Sequence, residues 1–195
     1  TLTVLSDVTM SGVVSGAFDL TKAGSAELTL SGVNTYSGAT VVTAGTLTLS
    51  GGSALANAMA VTVNAGGTLK LASSEEIGTL AGAGAVNLQS NTLTLSGSGN
   101  TTYSGVMSGS GSLAKSGTGT LTLSGTNTFS GGATVSGGAS ARTLANALTL
   151  SGGLSLGDGT NTGALTFSGA AALSAATTLT VASGVTMGGV VSGAF

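Results

Sequence analysis

A six-residue pattern, x-L-T-[LF]-S-G, occurs six times in the chain, at 27–32, 46–51, 92–97, 120–125, 147–152 and 164–169. Each copy alternates apolar and polar residues, and alternation with period two is the signature of a strand with one buried face. In Leu121-Thr122-Leu123 both leucines point to one side and the threonine to the other. The β-branched threonines and valines around them favour extended backbone. Ser-Gly or Gly-Gly ends nearly every copy, where a turn with positive φ is cheap. The strands are therefore short, with turns every 8–12 residues or so.

Two further elements recur. N-T-[YF]-S-G stands at 34–38 and 127–131, with a looser copy carrying one inserted Thr at 100–105. G-V-[VM]-S-G stands at 12–16, 105–109 and 189–193. Together they reveal a longer order. Residues 12–38 align on 105–131 without gaps, with 16 identities in 27 positions. Residues 1–18 return at 178–195 with 15 of 18 identical, an offset of 177 that divides into 93 and then 84. The chain reads as a single segment, 1–195, with internal repeats 12–104 and 105–188. It looks cut from a tandem array, an impression strengthened by the start at Thr1 rather than Met.

Repeats on this scale point to solenoids. Only 3% of residues are aromatic, too few for the core of a two-sheet sandwich. Leu, Val and Ala fill a narrow β-helix, and each buried Leu or Val contributes about 1.5–3 kcal/mol. Gly-, Ser- and Thr-rich composition often means disorder, but 41% of these residues are hydrophobic and they recur in register. The expected fold class is all-β: a right-handed parallel β-helix (β-solenoid). At roughly 20 residues per turn it has about 8–10 rungs, with Leu28, Leu30, Leu47, Leu49, Leu93, Leu95, Leu121, Leu123, Leu148 and Leu150 inside. Stacking is expected to place Leu on Leu and Asn on Asn.

The run K-x-G-x-[GA]-x-L-T-L-S-G-x-N-T-[YF]-S-G, at 22–38 and 115–131, resembles the autotransporter-associated β-strand repeat of type V secretion passenger domains. The first copy continues as ATVVTAGTLTLSGG, similar to the strand pair that follows in that family, whereas the second lacks the final G-T-L. The resemblance implies a right-handed parallel β-helix, secreted through an outer-membrane barrel and displayed on a Gram-negative-type cell, where folding outside helps to draw the chain across. The absence of Cys suits a chain that crosses membranes unfolded.

The net charge of −2 gives no basic footprint for nucleic acid and no polybasic membrane anchor. Mean hydropathy is positive, yet no apolar run approaches the roughly 20 residues of a membrane-spanning helix. There is no His, and the acids are Asp7, Asp19, Glu27, Glu75, Glu76 and Asp158. A glycan hydrolase or lyase would need clustered carboxylates. Glu75 and Glu76 would face opposite sides of a strand and are read as solvated loop residues; Asp158 is read as a turn former rather than a calcium ligand. Lys22 and Lys115 are read as solvated cations that discourage sheet pairing. Asn34 and Asn127 read as amide stacks or Asx turns, and Tyr36, Tyr103 and Phe129 as turn-packing residues rather than sugar platforms.

Catalytic, cofactor and metal residues are accordingly set at none, and the chain is read as not an enzyme. The Thr-x-Thr pairs at 46/48, 92/94, 120/122 and 178/180 raise an ice-binding face, for which their spacing is too uneven. The expected role is a stiff stalk or fibre segment of a secreted surface protein. A ligand-binding adhesin is the alternative, and an ice-binding solenoid or β-helix glycan enzyme ranks lower. Expected partners are head-to-tail copies of itself or continuing tandem repeats, with any cell-surface or glycan ligand left open.

Overall fold

A computed structural model describes residues 1–135 and, for the backbone alone, the strands Arg142–Leu144, Leu148–Leu150, Leu154–Leu156, Leu165–Phe167, Ala171–Leu173, Leu179–Val181, Val185–Met187 and Val191–Gly193. Among the described residues every regular element is a strand, and every strand pairing is parallel. The chain visits three faces in order and returns about 20 residues later: Leu20 pairs with Thr40, Thr40 with Val61 and Val61 with Leu80. This is the expected β-solenoid.

Face A holds Leu2–Thr3, Leu20–Ala23, Thr40–Val42, Ala60–Val63, Thr79–Gly82, Thr101–Tyr103 and Leu121–Leu123, which are seven rungs. Face B holds Val8–Met10, Glu27–Leu30, Gly45–Leu49, Gly67–Leu71, Ala85–Asn87 and Met107–Ser108. Face C runs through Glu75–Ile77, Thr92–Leu95, Ser112–Lys115 and Ala133–Val135 and continues with Leu154–Leu156 and Leu179–Val181. The strands beyond Val135 extend face C by two further rungs.

The interior is a set of apolar columns. On face B, Val8, Leu28, Leu47, Leu69, Val86 and Met107 follow one another in register, and Met10, Leu30, Leu49 and Leu71 run beside them. Eight of the ten leucines expected inside are at most 3% exposed. Leu148 and Leu150 lie outside the residues whose side chains are described. Leu on Leu is thus found.

Asn on Asn is not. Asn34 sits between Val14 and Ala54, and the reason is the phase of the repeat. The segment 22–30 crosses from face A to face B, whereas its counterpart 115–123 crosses from face C to face A. An offset of 93 residues amounts to about four and two-thirds turns at roughly 20 residues per turn. The first four copies of the six-residue pattern accordingly lie on faces B, B, C and A.

The Ser-Gly turns meet the expectation in part: Gly51, which ends one pattern copy, adopts positive φ, as do Gly16 and Gly109. Gly24, Gly45 and Gly82 also adopt positive φ. Gly32 and Gly125, which end two pattern copies, do not; a Cβ at either would collide with the carbonyl of Gly12 or Gly105, one rung back. Glycine is needed there because two backbones stack at a corner with no room for a side chain.

Candidate functional site: polar fasteners between rungs

The polar side chains of the repeat do one recurrent thing: they bond backbone groups one rung away. Asn34 is 2% exposed. Its Oδ1 accepts from Val14 N at 2.7 Å, and its Nδ2 donates to Gly32 O at 3.1 Å and Ala54 O at 2.8 Å. Three rungs meet at one amide. The segment around it is held by Thr35 N to Val14 O and Ser37 N to Gly16 O.

The second repeat reproduces four of these five bonds between equivalent residues. Asn127 Oδ1 accepts from Met107 N at 2.9 Å, and Nδ2 donates to Gly125 O at 3.0 Å. Thr128 N bonds Met107 O, and Ser130 N bonds Gly109 O. The glycine collisions are shared as well: Gly38 stacks on the Phe18 carbonyl as Gly131 does on that of Gly111. The looser copy at 100–105 is not equivalent. Asn100 is exposed and accepts from Thr120 N, and Tyr103 lies inside face A with its hydroxyl on Gly84 O.

Lys22 and Lys115 overturn the expectation of solvated cations. Lys22 is fully buried on face A, and its Nζ donates to Ala23 O, Gly24 O and Ala44 O at 2.8–3.1 Å. Lys115 is 6% exposed on face C, and its Nζ donates to Gly117 O at 2.6 Å and Gly97 O at 3.4 Å. Each ammonium sits where a glycine corner turns its carbonyls inward, and those oxygens replace water around the charge. Burial still pulls the Lys22 amine below its usual value.

Glu75 is the other correction. It lies on the strand Glu75–Ile77, not in a loop, and its side chain is 3% exposed. Glu76 does face the opposite side. The bend around Ser53–Ala56 belongs to no strand, and the carboxylate supplies the missing acceptor: Oε1 takes Leu55 N at 2.6 Å. Oε2 is buried without a hydrogen-bond partner. Burial raises the Glu75 pKa, opposed by the backbone N–H groups of Leu55 and Ala54. Asp7 and Asp19 act as similar fasteners, accepting from Glu27 N and Ala39 N, each 20 residues on. Glu27 takes the Thr48 hydroxyl at 2.6 Å and pairs with Lys70 at 3.6 Å near the surface. Asp158 lies outside the described residues.

Three aromatics face inward. Tyr36, Tyr103 and Phe129 are fully buried. Tyr36 bonds Thr40 Oγ1 at 2.7 Å, Thr40 donates onward to Met59 Sδ, and Phe18 stacks on the Tyr36 ring at 5.7 Å. The Thr pairs do not form a rank. Thr46/Thr48 lie on face B, Thr92/Thr94 on face C and Thr122 on face A. The column Thr9, Thr29, Thr48 is interrupted by Lys70. A shallow groove at the corner from face C to face A runs past Asn57, Gly78, Thr79, Gly97 and Ser98, and none of its lining side chains titrates. Among the described residues no group of three His, Cys, Asp or Glu converges as a metal site would require.

Sequence reasoning missed the fasteners, although the signal was present. Lys22 follows Leu20 by two, Lys115 follows Leu113 by two and Glu75 precedes Ile77 by two. Period two alone places all three inside.

Two segments, 20–49 and 113–139, match the passenger-associated-transport-repeat family model. They contain the two runs whose networks superpose. No curated protein and no solved structure matches the chain.

Proposed function

We propose that this chain is a stiff structural segment of a secreted passenger, serving as part of an extracellular stalk or fibre on a bacterial surface. The observation that carries the reading is the use of chemistry-bearing side chains: Asp7, Asp19, Glu75, Asn34, Asn127, Lys22 and Lys115 all bond the backbone, and most join one rung to the next. A catalytic carboxylate must reach substrate, and these reach backbone amides. The passenger-associated repeats support export from the cell. The recurrence of 1–18 at 178–195 supports a tandem array, in which a preceding rung would cover the exposed Leu5, Val8 and Phe18.

Recognition of a ligand by the outer surface is the second reading. It is favoured by Val13, Val33 and Val106, which stand exposed on outward positions.

Small-angle scattering of the purified chain tests the leading reading. A rod whose length grows by about 4.8 Å per 20 residues supports it. A compact globule, or turnover of a glycan lost in Glu75→Gln, overturns it.

A further inference from the structure

The surface of the repeat is fixed by its local network, but the face on which it appears is not. Thr35 and Thr128 are equivalent, exposed residues flanked by equivalent hydrogen bonds. Thr35 lies above Val14, in the face C position of its rung, whereas Thr128 lies above Met107, on face B. Val13 and Val106, both exposed, follow the same shift.

The second half of the long period adds no further shift. Residues 105–109 contain the face B strand Met107–Ser108. Their counterpart, Val191–Gly193, continues the line Leu148–Leu150, Ala171–Leu173. That line falls between Arg142–Leu144, which contacts Leu121–Leu123 of face A, and Leu154–Leu156 of face C, so it occupies the face B position. The ends agree: Leu2–Thr3 is on face A and its counterpart Leu179–Val181 on face C.

We propose that the 177-residue period is out of phase with the turn, so that each successive period presents the same outward surface on the next face of the solenoid. One 177-residue period then spans about eight and two-thirds turns, a rise of about 42 Å at about 4.8 Å per rung. Three periods bring the surface back to its starting face. Resting on the stalk reading, this makes the array a threefold screw: a partner that recognises one repeat surface finds it on every side of the stalk, whatever the stalk's orientation about its axis.

Pulsed electron-spin distance measurements on the whole chain test this. The chain has no cysteine, so Thr35→Cys can be labelled together with either Thr128→Cys or Thr134→Cys. All three sites are exposed. Thr134, on face C, is five rungs above Thr35 on the same side, about 24 Å along the axis. Thr128 is slightly nearer along the axis but a face away. The expected result is a shorter 35–134 than 35–128 distance. The reverse order puts the two repeats on one face and overturns the proposal while leaving the rod intact. Scattering from the unlabelled chain separates the two failures, since a chain that is no rod overturns the stalk reading and this proposal with it.

Discussion

Residues 12–38 and 105–131 share a hydrogen-bond network and differ in almost everything else about their placement. The first passes through faces A and B into face C; the second passes through faces C and A into face B. Their interiors differ as well, with Val14 and Tyr36 in one where Met107 and Phe129 stand in the other. Asp19 accepts from Ala39 N in the first, while Ser112 donates to Gly131 O in the second. What the repeat specifies is therefore a relation between a residue and the backbone 20 positions away. It does not specify a side of the tube.

The hardest way to break that equivalence is at the stacked glycines. Gly32→Ala and Gly125→Ala each drive a methyl into a carbonyl of the preceding rung, backbone against backbone. Each is expected to cost roughly 3 kcal/mol or more, because overpacking cannot be relieved by a rotamer change. Urea unfolding measures the cost, and a loss confined to one repeat would show that the two corners are not alike.

Next come the amides. Asn34→Ala strands the Val14 N–H and the carbonyls of Gly32 and Ala54, and Asn127→Ala strands the Met107 N–H. A cost of about 1–3 kcal/mol is expected at each site, the usual penalty for a buried group left unpaired. Hydrogen exchange at Val14 and Met107 should accelerate in the matching variant and in that variant alone.

Glu75 has no counterpart in the second repeat and sharpens the comparison through pH. Its folded pKa is raised above the ordinary 4.5, so the folded state holds the proton more tightly than the unfolded one. Its contribution to stability is full below the ordinary value and is lost as pH rises through the folded value. Glu75→Gln should remove that part of the pH dependence. Thermal melts of the two proteins should converge in acid and diverge towards neutral pH, with the variant the more stable there; parallel curves would contradict the burial.

The smallest effect is expected at Tyr36→Phe, which makes the first repeat like the second. It removes the hydroxyl from Thr40, which still donates to Met59. A loss of about 1 kcal/mol or less is expected by calorimetry.

The strand alternation, the interior leucines and the solenoid itself were readable because they depend only on period two and on repetition. The buried lysines and Glu75 were not read, since an ionisable side chain is expected in water unless its partners are known. Those partners are carbonyls and amides of distant turns, such as Ala44 for Lys22 and Leu55 for Glu75, and no side-chain pattern announces them. The glycines show the same limit. Gly32 and Gly24 look alike in sequence, and both sit against a carbonyl of the rung beneath, yet only Gly24 also needs positive φ. The rotation between repeats was within reach of arithmetic, because 93 is not a multiple of about 20.

The closure of each network within one rung on either side has a consequence for how such a gene changes. The two unequal halves of the long period, 93 and 84 residues, stand side by side in this sequence. A duplicated or deleted block need only rejoin the chain at an equivalent corner, since its fasteners bind whatever backbone lies next to them and no distant site has to be matched. Length can then drift by unequal recombination while every intermediate still folds, so related lineages should differ in copy number sooner than in the residues of the repeat.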